Sequence, residues 1–408
     1  MGEAHPPAFP QETSRAAAVG AGPSGPRGRK PPSKEPTPAC FTESSRERKA
    51  GFTRHGTLSN PHSRMLRRSE LQILRHSGGK PFHFVCLPGL VPDGPETFAR
   101  QLKLLRGRGS VALVTYPYDS FDLDAVIAGV REEIDGAQRA GLAPVLVGLS
   151  VGGGIAIELL RRGLENGRPL PLRGLILISP LSCTGDLSSM LLRVTQPIIS
   201  EHGKAGGQPE LALERGRQLF KSLVTRSTAN AEASRAAMRW LGWLGPLGVL
   251  TPQGYAAWSE RRLADRIQAT IERLPPEGSV QRVMALTHFR GLAGHRGPLT
   301  EAPSLILWGT KERQTLNMDG PGTGVLCRPD LASKILPHLE VHWIYDRDGS
   351  EVPHASLLKH ARAFNPPLAR WLRRCAKAEG VGALRSSMQA LAAVMPAAAM
   401  AAHGRSLA

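Results

Sequence analysis

The chain has 408 residues, of which 41% are apolar and 5% aromatic, so it is long enough for one large domain with additions or for two modest ones. Its five cysteines are scattered without a C-x-x-C pair, which excludes a cysteine metal site or a disulfide framework and predicts a cytoplasmic protein. The longest apolar run, 390–402, is too short to span a bilayer, and no apolar secretory segment is visible near the N-terminus.

The formal net charge of +18 is concentrated near the N-terminus. Residues 1–80 hold 14 Lys and Arg against 6 Glu, a net charge of +8, in a stretch rich in Pro, Gly and Ser. Because this stretch lacks apolar periodicity, we predict a disordered basic extension over residues 1–79. Aromatic residues do not alternate with the basic ones as they do in single-strand binders, so specific nucleic acid binding is not expected.

Short apolar runs alternate with helical patterns along the rest of the chain. Helical spacing is present over 97–105, 122–137 and 355–363. The predicted strands are 82–87, 111–116, 144–147, 172–179, 304–308 and 339–345. This alternation predicts an α/β fold, a mostly parallel sheet with helices on both faces, whose ligands bind at the carboxyl ends of the strands. The predicted core covers residues 80–181 and 300–376.

Between residues 182 and 299 the strand pattern gives way to helical patterns. The predicted helices are 211–225, 231–243, 255–274 and 279–292. A helical insertion of this size between two core strands predicts a cap or lid over the ligand site. The tail, residues 377–408, is rich in alanine and predicts one further helix around 384–395.

One pentapeptide carries the strongest chemical signal: Gly148-Leu149-Ser150-Val151-Gly152, followed by Gly153 and Gly154. It lies between a predicted strand and an apolar stretch with helical character. A strand that turns sharply into a helix at a serine forms a nucleophile elbow, in which strained backbone geometry lifts the hydroxyl out of its surroundings. Glycines are required there because side chains would collide with the neighbouring strand and helix.

A serine nucleophile needs a base to accept its proton and a third group to hold that base. The predicted strand 304–308 is followed by Glu312, and the strand 339–345 is followed by a loop and then His354. Other residues compete for both roles. The competing bases are His338, His342 and His360, and the competing acids are Asp186, Asp319 and Asp330.

The core resembles the α/β-hydrolase superfamily over residues 80–181 and 300–376. The matching pieces are Pro88-Gly89-Leu90, the 148–154 elbow, the turn 308–312 and the late His354. The resemblance implies that Ser150 is the nucleophile, Glu312 the acid and His354 the base. It also implies that the backbone N–H groups of Val151 and Leu90, or a neighbour of Leu90, form the oxyanion hole.

The chain departs from many relatives at two places. Pro88-Gly89 stands where many have His-Gly, which leaves a backbone donor intact. Glu312 stands where most have Asp, and its extra methylene requires a shifted backbone.

These observations predict a serine hydrolase that cleaves an ester or thioester of a small-molecule acyl substrate through an acyl-enzyme. The alternatives are an acyltransferase, a C–C bond hydrolase, and a non-catalytic binding protein on the same fold. No cofactor or metal is expected, because H-E-x-x-H and phosphate-loop motifs are missing from the sequence. The sequence does not indicate an oligomeric state.

Overall fold

The computed structural model describes residues 70–79, 81–202 and 252–394, together with positions 208, 210, 211, 213–215 and 218. Three predictions therefore lie wholly or mostly outside the described residues. They are the disordered extension up to residue 69, the helix over 231–243 and most of the helix over 211–225.

Seven strands form one sheet in the described part of the chain, in the order β1-β3-β2-β4-β5-β6-β7. Only β1 is antiparallel to its neighbour, and the remaining pairs are parallel. The predicted mostly parallel sheet is confirmed. The strands are β1 Gln72–His76, β2 Phe82–Leu87, β3 Gly109–Thr115, β4 Ala143–Leu149, β5 Gly174–Ile178, β6 Ser304–Gly309 and β7 Leu339–Ile344.

The described helices connect these strands and cover the sheet. They are α1 Gly94–Thr97, α2 Leu102–Arg106, α3 Leu123–Arg139, α4 Val151–Glu165, α5 Ser189–His202, α6 Pro252–Arg273, α7 Pro276–Met284, α8 Thr323–Cys327, α9 Pro329–Ile335 and α10 Ala361–Val394. None of the helices in the described ranges combines the length and apolarity that a bilayer crossing requires.

Both faces of the sheet are buried along strands β2 to β6, as their near-continuous apolar sequences predict. Side chains alternate along β2, so that Val85 and Leu87 belong to one apolar cluster and Phe84 and Cys86 to another. The first cluster includes the apolar faces of α3 and α4, and the second includes those of α2 and α10. This two-sided burial confirms the predicted helix layers.

The first strand corrects the predicted boundary of the extension. Residues 72–76, which we placed in the disordered segment 1–79, form β1 and pair antiparallel with β3, Gln72 opposite Thr115 and His76 opposite Val111. This short edge strand is half-exposed and mixes charged with apolar residues, so no local pattern marks it. Its stability comes from the β3 edge, to which it adds backbone hydrogen bonds.

Two predicted helices have different bounds in the structure. The pattern over 97–105 corresponds to two short helices, α1 and α2, separated by a turn. The helix expected to begin just after His354 begins at Ala361 instead, and residues 354–360 form turns.

The described residues between β5 and β6 include the helices α5, α6 and α7. The predicted helix 255–274 is confirmed as α6, and the one over 279–292 begins as α7 and ends in a 3₁₀ turn at Ala285–His288. Leu263 and Ile267 of α6 pack with Val91, from the loop after β2, and with Leu358, from the loop after β7. Helix α6 therefore contacts two loops at the carboxyl edge of the sheet.

Candidate active site

Ser150 lies at the turn between β4 and α4 in a strained backbone conformation. Its φ is 50° and its ψ is −114°, a region that non-glycine residues rarely occupy. Hydrogen bonds hold the turn from both sides: the N–H of Ser150 donates to Ile178 O at 2.9 Å, and its carbonyl accepts from the N–H of Leu181 at 3.0 Å. The neighbouring strand β5 and the loop that follows it thus fix the direction of the serine hydroxyl.

Close backbone packing explains the glycines around Ser150. A Cβ on Gly152 would lie far inside van der Waals distance of the carbonyl oxygens of Leu87 and Pro88, and one on Gly148 would lie 2.6 Å from Gly152 O. The first turn of α4 can therefore approach β2 only without a side chain at position 152.

His354 is brought to the serine by the loop that follows β7. The distance from Ser150 Oγ to His354 Nε2 is 2.9 Å, and the distance from His354 Nδ1 to Glu312 Oε2 is 2.5 Å. The imidazole side chain retains 13% of its exposure, whereas the Glu312 side chain retains 1%. One nitrogen of the ring therefore contacts the hydroxyl while the other contacts a buried carboxylate.

Glu312 begins a 3₁₀ turn just after β6, and its two carboxylate oxygens have different partners. Oε2 contacts His354, while Oε1 accepts the Gly309 N–H at 2.8 Å and the hydroxyl of Ser179. Because one oxygen is held by the protein core, the longer side chain of glutamate still places the other against the imidazole. A glutamate at position 312 therefore contacts the imidazole despite its extra methylene.

The competing bases lie elsewhere. His338 is exposed and lies 3.9 Å from Glu301. His342, inside β7, lies 2.5 Å from Glu340. His360 is buried but its Nδ1 lies 2.8 Å from Ser356 Oγ.

The competing acids are also placed away from His354. Asp186 is fully buried and accepts hydrogen bonds from Ser182, Gly322 and Thr323. Asp319 and Asp330 are exposed. Of the four candidate acids, Glu312 is the one that contacts the imidazole.

The two predicted oxyanion donors border Ser150. Val151 is the first residue of α4, where a backbone N–H has no acceptor within the helix. The loop containing Leu90 is adjacent, because a Cβ on Gly89 would lie 3.7 Å from Ser150 Cβ. Both N–H groups belong to segments beside the serine, which is the placement that the resemblance implies.

Serine, glutamate and histidine come, in that chain order, after strands β4, β6 and β7 of a mostly parallel sheet, and the serine stands on a strained turn from strand to helix. This order and this turn define one architecture. The chain has the α/β-hydrolase fold. Among its described residues, no group of three or more His, Cys, Asp or Glu side chains is arranged to hold a metal ion.

Comparison with known proteins gives distant structural similarity only. No family model matches the chain, and no curated protein matches it in sequence. Among solved structures, a thermophilic esterase from Thermogutta terrifontis is 15% identical over 75% of this chain and 94% of the esterase, with a TM-score of 0.47. The enol-lactonase from Burkholderia xenovorans LB400 is 15% identical over 74% of this chain and 96% of its own, with a TM-score of 0.46. Both are too distant to identify the reaction of this α/β-hydrolase-fold chain.

Two polar groups that contact the site were not identified from the sequence. Ser179, one residue beyond β5, binds Glu312 and also accepts the N–H of Ala355 at 3.2 Å. Arg282, in α7, is buried and donates to the carbonyl of Leu90 at 2.8 Å. A serine at a strand end is too common to single out, and nothing local to Arg282 indicates its distant partner.

A second serine–histidine–glutamate series lies at the amino ends of β2 and β3, at the opposite end of the strands from Ser150. Ser110 Oγ is 2.7 Å from His83 Nδ1, and His83 Nε2 is 3.1 Å from Glu133 Oε1. Arg75 also binds both oxygens of Glu133. Ser110 lies within β3 rather than on a strained turn between a strand and a helix. This second series of side chains therefore provides an internal comparison for the Ser150 site.

Cys86 lies within β2. It is fully buried in the middle of the sheet. Burial raises the pKa of its thiol well above the ordinary value, which keeps the sulfur protonated. The environment of Cys86 is that of a core side chain.

Proposed function

We propose that the chain is a serine hydrolase that cleaves an ester or thioester through an acyl-enzyme on Ser150. The observation that carries this proposal is the continuous contact from Ser150 Oγ through His354 to the buried carboxylate of Glu312. A hydroxyl becomes a nucleophile when a base accepts its proton, and the base is effective when a third group orients it.

The first half of the reaction uses all three side chains. Ser150 Oγ attacks the acyl carbon as its proton passes to His354 Nε2, and the Glu312 carboxylate stabilises the imidazolium that forms. The N–H groups of Val151 and Leu90 donate hydrogen bonds that stabilise the negative charge developing on the acyl oxygen. Each such donor contributes typically ~3–4 kcal/mol to stabilisation of the transition state.

The remaining steps release the leaving group and then restore the enzyme. The imidazolium gives its proton to the leaving alcohol or thiol, and the C–O or C–S bond of the substrate breaks to leave the acyl group on Ser150. Water then attacks the acyl-enzyme while His354 accepts its proton. His354 then returns that proton to Ser150 Oγ as the bond from the acyl carbon to Oγ breaks, which releases a carboxylic acid and regenerates the serine.

An apolar acyl group fits the surroundings of the site. Val91 and Leu358, from the two loops at the carboxyl edge, pack with Leu263 and Ile267 of α6. Helix α6 belongs to the segment that we propose as a cap, residues 182–299, between the core segments 80–181 and 300–376. We propose a small-molecule acyl substrate on this basis, and a cytoplasmic location on the basis of the scattered cysteines.

Acyl transfer to another acceptor and C–C bond hydrolysis would use the same three side chains. Product analysis separates them. Oxygen from labelled water enters a carboxylic acid in ester, thioester or C–C hydrolysis but not in acyl transfer, and of these hydrolyses only that of an ester or thioester releases an alcohol or thiol. A non-catalytic binding protein would give no product at all.

The decisive experiment is labelling of the full chain with a fluorophosphonate, a reagent that phosphonylates activated serines. We expect labelling of the wild type and its loss in Ser150→Ala and His354→Ala. Ser150→Ala should keep an unfolding free energy within about 1 kcal/mol of the wild type, because its small side chain contributes little to the fold. His354→Ala removes a partner of the buried Glu312 carboxylate, so circular dichroism is used to check that this variant is folded. Hydrolysis of p-nitrophenyl esters of increasing chain length should depend on the same two residues.

Ser110→Ala provides the matched control, because Ser110 also contacts a histidine that contacts a glutamate. This variant should retain full labelling and full hydrolysis. Labelling that survived in Ser150→Ala and disappeared in Ser110→Ala would contradict the assignment of the nucleophile. A folded wild type that is neither labelled nor active would favour the binding protein.

A further inference from the structure

The loop Pro88-Gly89-Leu90 is anchored through the two carbonyl groups that flank one peptide unit. The hydroxyl of Tyr116, just beyond β3, donates to Pro88 O at 2.9 Å. The Nη1 of Arg282 donates to Leu90 O at 2.8 Å. Between these two carbonyls lies the Gly89–Leu90 peptide, which carries the Leu90 N–H.

Arg282 is fully buried, and most of its partners are backbone atoms. Its Nη2 donates to the carbonyls of Tyr116 and Pro117, at 3.1 and 3.2 Å. Its guanidinium also lies over the rings of Tyr116 and Tyr118, 5.8 and 5.5 Å from their centroids. One rigid, planar group thus joins α7, the end of β3 and the loop after β2.

The nearest acidic group does not replace these contacts. Asp93 Oδ1 lies 3.9 Å from Arg282 Nη2, and the other carboxylate oxygen of Asp93 accepts the hydroxyl of Tyr118. Burial of an arginine costs desolvation free energy, and the hydrogen bonds of Arg282 to three carbonyls offset part of that cost. These three carbonyls are therefore the groups that Arg282 holds in the fold.

We propose that Tyr116 and Arg282 are positioning residues, which fix the Gly89–Leu90 peptide so that the Leu90 N–H faces the oxyanion formed at Ser150. This inference rests on the proposed function. An oxyanion donor acts by being oriented before the reaction begins, so a small rotation of this peptide reduces catalysis without weakening substrate binding.

The test combines kinetics with a measurement that does not need activity. Tyr116→Phe removes one hydroxyl and keeps the ring, and Arg282→Lys keeps the charge but not the planar fork. We expect kcat per titrated Ser150 to fall about 10-fold in the first and about 100-fold in the second, with KM changed less than about twofold. Affinity for an alkylboronic acid, which forms a tetrahedral adduct on serine, should fall by the same factors.

Amide hydrogen exchange over residues 88–91 should become faster in both variants. Ser304→Ala is the control, because it removes a buried hydroxyl that donates to a backbone carbonyl, Ala302 O, and contacts neither Arg282 nor the loop. It should leave kcat, boronate affinity and exchange over 88–91 unchanged, even where its melting temperature falls.

Unchanged exchange and unchanged kcat per titrated site in Tyr116→Phe and Arg282→Lys would overturn the proposal, and a lowered melting temperature alone would show a purely structural role. Should Arg282→Lys fail to fold, Tyr116→Phe still decides the question. One outcome would separate the two proposals: a wild type that is neither labelled by the fluorophosphonate nor active, together with faster exchange over residues 88–91 in Tyr116→Phe. It would overturn the proposed function and the catalytic role of Tyr116 and Arg282, but it would leave their restraint of the loop standing.

Discussion

Ser179 and Glu312 face each other across the ends of β5 and β6, and the serine hydroxyl donates to the carboxylate oxygen that does not contact His354. The same serine oxygen accepts the N–H of Ala355, the residue after the histidine, at 3.2 Å. Ser179 therefore connects the acid to the loop that carries the base. Its φ of 46° shows that the backbone is strained where this connection is made.

Replacement of Glu312 by Gln should lower kcat about 10³–10⁴-fold. The amide keeps the size of the side chain but removes the charge that stabilises the imidazolium. Steady-state kinetics with a p-nitrophenyl ester measure the effect. Glu312→Asp is the control for length: its carboxylate, shorter by one methylene, cannot reach His354 and Gly309 together, so a loss of about 10–100-fold is expected. Wild-type kcat in Glu312→Gln would contradict the role of Glu312.

Gly152→Ala should destabilise the fold by about 3 kcal/mol, because the new methyl group meets the carbonyl oxygens of Leu87 and Pro88. Urea unfolding measures the loss. Gly136→Ala, in the last turn of α3, is the matched control: its Cβ meets only the end of the Arg139 side chain, at 3.8 Å. This change should stabilise the fold by about 0.5–1 kcal/mol, since alanine is the better helix former. Equal stability of the two variants would show that the elbow tolerates a side chain.

The lowered pKa of Glu133 predicts how the free energy of unfolding depends on pH. Burial raises the pKa of its carboxyl, but hydrogen bonds from His83 and Arg75 outweigh burial and lower the pKa from 4.5 to about 2. A carboxyl whose pKa is lower in the folded state stabilises the fold above the unfolded value of 4.5, and that stability is lost as the pH falls towards 2.

Glu133→Gln should therefore lose about 2 kcal/mol at pH 7, a value reduced by solvent screening because Arg75 is 64% exposed. Its stability should also change less than that of the wild type between pH 4.5 and 2. Urea unfolding at several pH values tests both statements. The exposed neighbour Glu132, changed to Gln, should leave the pH profile of the wild type intact. Parallel profiles for Glu133→Gln and the wild type would refute the prediction.

Much of the fold was predictable because its signals are local. Each core strand from β2 onwards is a short apolar run ended by glycine, proline or a polar loop, and the elbow concentrates its glycines at one turn. The order of Ser150, Glu312 and His354 along the chain follows from where these runs end. The geometry brings the three together as the spacing and the resemblance led us to expect.

The remaining features depend on distant partners. Strand β1 is stabilised by the edge of β3 rather than by its own pattern. Ser179 and Tyr116 are ordinary polar residues at strand ends, and only the folded sheet shows which carboxylate or carbonyl each one meets. Arg282 contacts a loop 192 positions earlier in the sequence, a pairing that no local window contains.

The position of Arg282 bears on attempts to re-engineer the chain. Helix α7 supplies the guanidinium that holds the Leu90 carbonyl, and it lies in residues 182–299, the segment that we propose as a cap. A transplant of that segment from another protein would leave two carbonyls just beyond β3 and one at Leu90 without their shared donor. Chimeras of this protein should therefore be cut after α5 and before α7, so that the native arginine stays with the sheet that it serves.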